Sequence, residues 1–477
     1  MVSQTAGPAP SVSPASSLNQ LLAAQRSAFR QSPYPSPRER RDHLARLERV
    51  VFARQDELAS ALDRDFGGRC RNEVLFSEIF VALHSVRHAR KHVRQWMAKR
   101  PRHIDWPLQP ARAWIMPQPL GVIGIISPWN YPIFLTIAPL AGALAAGNRV
   151  MFKLSEYTPA TSECLAKLIS EAFASDHVVV VNGDAQVGQT FASLKFDHLL
   201  FTGSTAVGRH VMRAAAENLT PVTLELGGKS PAILAPDADL DSAACDIVYG
   251  KFLNAGQTCI APDYILVPRE RLDTLLDALR RHIERYWPEP ARNPEYTSVI
   301  NDRHVARLAA YVEEARSRGT RVLTIGPEAS AGSRRIPPTL IVDPPDDLAV
   351  MRDEIFGPVL PVKTYRDLNE AIEYVNDHDR PLALYLFTKS GRTRENVLKR
   401  TVSGGACVND TLVYIAAEDL PFGGAGASGF GHYHGAEGFD TFSKLKPVFH
   451  RPFSGLGRMT RPPYGRMHKL LKRILIG

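Results

Sequence analysis

Apolar positions in the first quarter of the chain recur at helical spacing. The run LNQLLAAQRSAFR, which begins at Leu18, has this spacing, and so does a longer pattern over about 72–99. Between them, the segment SPRE at 36–39 has the residue types of an N-cap, a first helical position and a capping box. We therefore expect three helical segments here, the middle one running from this cap to a pair of glycines just after Phe66.

From residue 113 onward, short apolar runs alternate with amphipathic helical patterns. Such alternation is typical of an α/β fold in which crossover helices join parallel strands. The pattern restarts near Asp241, which predicts two open parallel-sheet α/β domains. The predicted strands are 113–116, 121–126, 149–153, 177–181, 222–225, 264–267, 321–324, 359–365 and 383–387. The predicted helices lie over about 133–146, 160–173, 241–253, 271–286 and 302–318, and 198–216 form a strand, a turn and a helix.

Composition indicates a globular protein with two or three domains. The chain has 477 residues, of which 44% are hydrophobic and 22% charged. Its five cysteines are scattered without a CxxC pair, so neither a zinc site nor a disulfide framework is indicated, and a reducing, cytoplasmic location is expected. No apolar run reaches the roughly 18 residues of a membrane span. Residues 1–16, rich in Pro, Ser and Ala, lack the features of a secretory signal and predict a disordered tail.

The net charge of +9 is concentrated at the carboxyl end. Residues 441–477 hold nine Lys and Arg and no acid, which accounts for the whole excess of 58 basic over 49 acidic residues. A neutral body argues against a nucleic-acid enzyme, whereas the basic tail suits an anionic surface. Apolar residues at helical spacing predict an amphipathic helix there, which could contact a membrane or, as the favoured alternative, dock on the protein itself or fray. These apolar residues are Met467, Leu470, Leu471, Ile474 and Leu475.

Cys259 and Glu225 are the strongest candidates for chemistry. Cys259 lies in the loop NAGQTCIAPDY, whose small residues leave a thiol accessible for nucleophilic attack. A single cysteine in such a place is more often a small buried apolar residue. Glu225, however, stands between two leucines and before two glycines, where a carboxylate has no evident structural use. A thiol that can form a thioester and a carboxylate that can activate water together indicate acyl-enzyme chemistry.

Two segments at predicted strand ends could bind a dinucleotide. FTGSTAVG at 201–208 is a strand, a glycine turn and a helix start, whose N–H groups and dipole would hold a phosphate. Glycine turns before helices are common, and the spacing is not GxGxxG. Lys153 and Glu156 could hydrogen-bond ribose hydroxyls, although a surface ion pair explains them equally well.

Two further segments carry candidate polar groups. Asn130 in PWNYP is a neutral donor suited to an oxyanion, but an asparagine at this position also suits a turn. Glu354 and Phe356 in EIFGP could grip a ribose and pack near a ring, and the alternative is an exposed turn.

These segments together resemble the aldehyde dehydrogenase superfamily over about residues 18–450. The interval between Glu225 and Cys259 also matches that family. Flanking segments such as RPLALYLF and ASGFGHYHG are similar to its class 3 and coniferyl aldehyde dehydrogenase branch. One departure is Leu154, where the family usually has proline, which bears on the backbone path and on the choice between NAD and NADP. The motifs, in the family's order, are PWNYP, KLSE, FTGSTAVG, LELGGK, GQTC, EIFGP and PFGG.

The resemblance implies a role for each motif. Cys259 is the implied nucleophile, its backbone N–H and the Asn130 side chain form the oxyanion hole, and Glu225 is the general base for deacylation. The implied cofactor is NAD or NADP, and no metal is implied. The implied cofactor-binding residues are Lys153, Glu156, Gly203, Ser204, Val207, Gly208, Glu354 and Phe356.

The implied reaction is oxidation of an aldehyde to its carboxylic acid through a cysteine thiohemiacetal and thioester. An aromatic aldehyde such as coniferyl aldehyde is the first expectation, and a medium- or long-chain aliphatic aldehyde is the second. An acyl-transferring or reductive relative, using coenzyme A or an activated acid, is one alternative, against which Glu225 argues. A non-catalytic use of the fold is another, against which the intact set of Cys259, Glu225 and Asn130 argues.

The resemblance also implies a domain organisation and a homodimer. The strand around Trp114 and the residues after Gly431 would form an exposed sheet edge that a second copy covers. The predicted parts are a dinucleotide-binding domain (17–110 and 120–227), a catalytic domain (228–430), a small oligomerisation β-element (111–119 and 431–450) and the basic tail (451–477).

Overall fold

The computed structural model describes residues 14–327, 332–451 and 461–476. The predicted disordered tail therefore lies outside the described residues except at 14–16, which begin the first helix about a turn earlier than expected. In the basic tail, 452–460 likewise lie outside. Within the described ranges, no helix is both long and apolar enough to cross a membrane.

The described residues form helices and strands that are numbered in chain order. The strands are β1 Arg100–Arg102, β2 Arg112–Pro119, β3 Val122–Ile126, β4 Arg149–Lys153, β5 Val178–Val181, β6 His198–Thr202, β7 Val222–Glu225, β8 Pro231–Leu234, β9 Tyr264–Pro268, β10 Arg321–Thr324, β11 Thr339–Val342, β12 Val359–Tyr365, β13 Ala383–Phe387, β14 Gly405–Val408, β15 Gly429–Phe430 and β16 Ser443–His450. The α-helices are α1 Pro14–Gln31, α2 Pro37–Ala53, α3 Gln55–Phe66, α4 Arg71–Val74, α5 Val81–Trp96, α6 Phe134–Ala146, α7 Pro159–Ala172, α8 Ala185–Ala192, α9 Thr205–Ala216, α10 Leu240–Phe252, α11 Leu272–Tyr286, α12 Asp302–Ser317, α13 Ala349–Arg352, α14 Leu368–Asn376, α15 Gly391–Arg400, α16 Gly435–Thr441 and α17 Arg466–Leu475.

The strands form three sheets. The first has the order β15-β7-β6-β3-β4-β5 and is parallel except at its β15 edge. The second, β10-β11-β12-β9-β8-β13-β14, is parallel except at its β10 edge. The third, β1-β2-β16, is small and antiparallel. Two open, mostly parallel α/β sheets and a small β-element confirm the predicted fold class.

The helical region near the amino terminus differs from its prediction in two places. The capping box at Ser36 and Glu39 is present, with Glu39 N–H donating to Ser36 Oγ at 3.3 Å and Ser36 N–H to the Glu39 carboxylate at 2.7 Å. The helix expected from there to Phe66 is two helices, α2 and α3, because the backbone leaves helical geometry at Arg54. The pattern over 72–99 contains a π-helical turn at Leu75–Phe80, a feature that is frequent near functional sites.

Two elements belong to other sheets than the predicted domain boundaries imply. Strand β15, expected in the catalytic domain, pairs with β7 of the first sheet, with Gly429 opposite Glu225. Strand β1, expected in the dinucleotide-binding domain, pairs with β2 in the small sheet. The chain therefore crosses between sheets close to Glu225.

Candidate active site

A cleft of about 960 Å³ runs along the carboxyl ends of the strands in the first sheet. Strands β3, β4, β6 and β7 all end at this edge, because they are parallel neighbours. Open α/β sheets bind ligands at such an edge, and the volume is at the upper end of the range for ligand pockets. Nine of the predicted site residues line the cleft: Asn130, Lys153, Glu156, Gly203, Ser204, Val207, Glu225, Glu354 and Phe356.

Two predicted residues lie beside the cleft rather than in its lining. Gly208 is in the first turn of α9, where an added Cβ would lie 2.6 Å from Leu226 Cδ2, so glycine lets the helix approach the end of β7. Cys259 is half-buried in a turn of the loop before β9. It lies close enough to Glu354 and Glu225 for both carboxylates to affect its pKa.

The amino terminus of α9 faces the cleft, as the phosphate prediction requires. Ser204 caps this helix, accepting the N–H of Val207 at 3.4 Å. Gly203 leaves space for the Phe201 ring, whose Cζ would lie 2.6 Å from an added Cβ. First-turn N–H groups and the helix dipole together favour an anion at this end of the cleft.

Lys153 and Glu156 form an ion pair within the cleft lining. Lys153 Nζ lies 3.0 Å from a Glu156 carboxylate oxygen and also donates to the Leu154 carbonyl at 2.7 Å. Lys153 is buried while Glu156 is exposed. The ion-pair interpretation is therefore correct, and contact with a ribose stays a prediction for a pair that lines the cleft. Lys153 bonds to the backbone carbonyl of residue 154, which a proline at that position would also have. The leucine that stands there therefore does not change this hydrogen bond.

The loop that carries Cys259 has an unusual backbone. Residues 254–256 have φ angles of 52°, 50° and 75°, three successive left-handed conformations in a chain where single ones are the rule. Only Gly256 is a glycine. The side chain of Gln257 fastens this turn by donating to the Asn254 carbonyl at 2.9 Å and accepting the Ile300 N–H at 2.9 Å.

Asn130 is held against the same loop. Its Nδ2 donates to the Gln257 carbonyl at 3.1 Å, which engages one of its two amide protons. The backbone carbonyl of Asn130 accepts hydrogen bonds from Arg69 Nη1 at 2.7 Å and from Asn254 Nδ2 at 3.1 Å. The buried Asn130 side chain is therefore fixed to Gln257, which is two residues before Cys259 in the chain.

Glu225 is a buried carboxyl group at the end of β7. Neither of its oxygens has a hydrogen-bond partner among the described residues. Burial raises the pKa of Glu225 well above its usual value. Buried polar groups are normally paired, and an unpaired carboxyl group in a cleft is typical of a functional site.

The Cys259 thiol is protonated in this environment. Burial, followed by the charges of Glu354 and Glu225, raises its pKa to about 12, while the N–H groups of Cys259 and Ile260 act in the opposite direction. Since the thiolate is the nucleophile, a neighbouring base has to accept the thiol proton.

Glu354 and Phe356 line the cleft and are half-buried, so this segment is not an exposed turn. An added Cβ at Gly227 would overlap the Glu354 carboxylate, so the first glycine of LELGGK makes room for this side chain. Burial and then the charge of Asp263 raise the pKa of Glu354 to about 8. Phe356 packs edge-on against Trp129 with 5.3 Å between the ring centroids.

Asp263 is a site residue that the sequence did not single out. It lies 2.5 Å from Lys229 Nζ and accepts the Ile355 N–H at 3.1 Å. Lys229 also donates to the carbonyls of Val350 and Asp353 at 2.8 and 2.9 Å. Asp263 thus joins the segments that carry Glu225, Cys259 and Glu354. In the sequence, its role could have been suspected only because it lies in the cysteine loop and because LELGGK contains a lysine.

The family comparison matches most of the chain. The aldehyde dehydrogenase family model aligns with residues 7–448. The chain belongs to this family. It is 49% identical to the probable coniferyl aldehyde dehydrogenase of Pseudomonas aeruginosa, over 96% of each chain. It is also 37% identical to aldehyde dehydrogenase family 3 member A2 of rat, over 92% of this chain and 90% of that protein. The expected class 3 and coniferyl branch is thereby confirmed.

Solved structures of this family have the same fold. The substrate-bound Staphylococcus aureus AldH superposes with a TM-score of 0.91 at 36% identity, covering 96% of this chain and 99% of that one. The indole-3-acetaldehyde dehydrogenase of P. syringae, in complex with NAD⁺ and IAA, superposes with a TM-score of 0.84 at 26% identity, covering 92% and 89%.

Proposed function

We propose that this aldehyde dehydrogenase oxidises an aromatic aldehyde, with coniferyl aldehyde as the first candidate, to the carboxylic acid through a thioester on Cys259. The observation that carries this proposal is Glu225, a buried carboxyl group that has no partner in the described part of the chain, lies near a protonated thiol and lines a ligand-sized cleft. The coniferyl aldehyde relative at 49% identity supports the substrate class.

The cleft residues fit NAD or NADP. Lys153 and Glu156 would hold a ribose, and the glycine turn with the first turn of α9 would hold the pyrophosphate. Glu354 and Phe356 would hold the nicotinamide half. The absence of a side chain at Gly227 leaves room for the Glu354 carboxylate in the cleft lining. When bound, the nicotinamide accepts the hydride that the aldehyde carbon loses.

The protein's own groups would act in sequence around one carbon. Glu225, whose raised pKa makes it a stronger base, takes the proton from Cys259, and Sγ attacks the aldehyde carbon. The negative charge that develops on the aldehyde oxygen is stabilised by the Cys259 N–H and Asn130 Nδ2. After oxidation, the acyl group is a thioester, and Glu225, once it has released its first proton to solvent, takes a proton from the water that cleaves the thioester and returns it to the departing Sγ. The carboxylic acid and the free thiol result.

A hydrolytic outcome is favoured over acyl transfer to coenzyme A. Both oxygens of Glu225 lack a partner among the described residues, as suits a group that handles a water molecule. An enzyme that transfers its acyl group to a thiol needs no such base. Added coenzyme A should therefore not accelerate turnover.

Two variants separate the two chemical steps. Cys259→Ser should lose nearly all turnover, because an alcohol ionises far less readily than a thiol. Glu225→Gln cannot accept a proton from water, so after a slower acylation the thioester should accumulate, with up to one NADH per site followed by turnover reduced about 10²–10⁴-fold. Intact-mass analysis after acid quench should find the acyl adduct on Glu225→Gln and none on Cys259→Ser. Turnover of Glu225→Gln at the parent rate would contradict the assignment of the base.

We also propose that the protein is a homodimer. Among the described strands, β16 pairs only with β2, and Phe449 on it is exposed, so the small sheet has an open edge. Open edges of this length are usually covered by another chain. Light scattering should give the mass of a dimer at micromolar concentration, and a monomer would refute the proposal.

We propose a cytoplasmic location. All five cysteines are unpaired, which suits a reducing compartment. Recovery of the protein in an exported fraction after cell fractionation would contradict it.

A further inference from the structure

A cluster of aromatic side chains lies outside the cofactor cleft. We call Tyr414, Phe422, Tyr433 and His434 the tyrosine cluster. The Phe422 ring stacks on Tyr414 at 6.0 Å and on His434 at 5.3 Å, and it meets Tyr433 edge-on at 5.7 Å between ring centroids. None of the four lines the cofactor cleft.

The cluster carries polar atoms that no described residue satisfies. Tyr414 Oη, Tyr433 Oη and both ring nitrogens of His434 are buried and lack a hydrogen-bond partner. Leaving such groups unpaired is costly, so a cluster of them calls for an explanation.

Other buried tyrosines show that this is unusual for the protein. Four of them each reach a hydrogen-bond partner with their hydroxyl group. The pairs are Tyr131 with Thr258 at 2.8 Å, Tyr296 with the Ile336 carbonyl at 3.0 Å, Tyr365 with the Leu234 carbonyl at 2.6 Å and Tyr385 with the Ile260 carbonyl at 2.5 Å.

The cluster lies near the reacting thiol. The charges of Cys259 and Glu225 contribute to raising the pKa values of Tyr414 and Tyr433 above the usual tyrosine value, after the larger effect of burial. Burial also lowers the pKa of His434 to about 3, so its ring is neutral and has one donor and one acceptor nitrogen. The cluster therefore combines aromatic walls with neutral hydroxyl and imidazole groups beside the catalytic centre.

We propose that the tyrosine cluster binds the phenolic hydroxyl of a 4-hydroxycinnamaldehyde substrate while the aldehyde faces Cys259, an inference that rests on the proposed function. The flat apolar walls suit the substrate ring, and a phenol can donate and accept one hydrogen bond at once. Tyr433 and Tyr414 then act as specificity-determining residues. An aliphatic aldehyde would leave the same polar atoms buried and unpaired, and a site built to bind a hydroxyl discriminates against a ligand that lacks it.

The test compares four aldehydes in the parent enzyme and in single variants. The aldehydes are coniferyl aldehyde, 3,4-dimethoxycinnamaldehyde, cinnamaldehyde and hexanal. Tyr433→Phe and Tyr414→Phe keep each ring and remove only the hydroxyl. We expect each variant to lose about 3- to 10-fold in kcat/KM for coniferyl aldehyde, the usual worth of one neutral hydrogen bond, with cinnamaldehyde and hexanal nearly unchanged.

Tyr365→Phe is the matched control, because it removes a buried tyrosine hydroxyl that bonds only to the Leu234 carbonyl. It should leave the ratio between coniferyl aldehyde and cinnamaldehyde at the parent value. If Tyr433→Phe and Tyr414→Phe lower all four kcat/KM values equally, or if the parent does not prefer the phenol, the cluster is not a phenol site. A parent enzyme that oxidises hexanal but no cinnamaldehyde overturns this inference and leaves aldehyde oxidation standing. A parent inactive on every aldehyde overturns the proposed function itself.

Discussion

Gly256 is the residue whose replacement should disturb the site most for the smallest chemical change. Its φ of 75° lies in the left-handed region, and an added Cβ would lie 2.6 Å from the Gly357 carbonyl carbon and 3.0 Å from the Lys251 carbonyl oxygen. The first of these is closer than real Cβ contacts allow, and both neighbours are backbone atoms. Gly256→Ala therefore adds backbone strain and forces the two loops apart.

The expected loss of stability has two parts. An alanine in the left-handed region costs about 1–2 kcal/mol. Forcing a methyl group into a filled space costs about 1–3 kcal/mol. The total of about 2–5 kcal/mol is enough to shift the urea midpoint clearly. Since Gly357 follows Phe356 directly, its displacement should also raise KM for the cofactor more than KM for the aldehyde.

Gly319 supplies the control, because its φ of 73° is nearly the same and nothing lies within 4 Å of an added Cβ. Gly319→Ala should lose only about 1–2 kcal/mol. Urea unfolding followed by tryptophan fluorescence measures both variants, and NADH absorbance measures the two KM values. Equal midpoints for the two variants, with an unchanged cofactor KM in Gly256→Ala, would refute the contact between these loops as the cause.

Three further predictions concern other parts of the molecule. Because burial and then the charges of Glu354 and Glu225 raise the pKa of Cys259 to about 12, alkylation by iodoacetamide should keep rising without a plateau below about pH 10, and Glu354→Gln should shift this rise to lower pH. Lys229→Met leaves the buried Asp263 carboxylate without its closest partner and should lower the free energy of unfolding by about 3–5 kcal/mol in the same urea assay. Lys363→Met breaks a more exposed ion pair and should lower it by about 1 kcal/mol or less. The chain ending at Pro463 should sediment less with anionic vesicles than the full chain, because Leu470 and Ile474 on α17 are 53% and 57% exposed beside its basic residues, and equal sedimentation would exclude the helix as the membrane contact.

Most strands and helices were predictable, but strands that begin at or just after a glycine pair were not. Strands β3 and β4 and helix α6 were expected within a residue of their bounds. Strand β8, at Pro231–Leu234, was missed although it lies inside the second sheet, because a glycine pair and a proline just before and at its start are typical of a turn. Strand β14, at the edge of the same sheet, was missed because it begins within the glycine pair at 404–405.

The types of residue at the site were readable, but their surroundings were not. The sequence indicated Cys259 and Glu225 as a pair, and the fold places them close enough to interact. It gave no sign that Glu225 lacks a partner or that Tyr433 does, because hydrogen-bond satisfaction depends on contacts between distant segments. The sequence likewise did not show that the Asn130 side chain donates to the Gln257 carbonyl.

The sequence motifs contain more residues than the reacting groups, because the flanking residues hold those groups in position. Glu225, Cys259 and Glu354 come from three segments, and a small error in their relative positions would slow the reaction by orders of magnitude. Asp263 joins these segments directly, through Lys229 on one side and the Ile355 N–H on the other. Gly227 and Gly256 then allow the same segments to approach more closely than any side chain would permit. The glycines and the Lys229–Asp263 pair are therefore requirements of positioning, which is why a change that never touches the aldehyde should still lower kcat/KM.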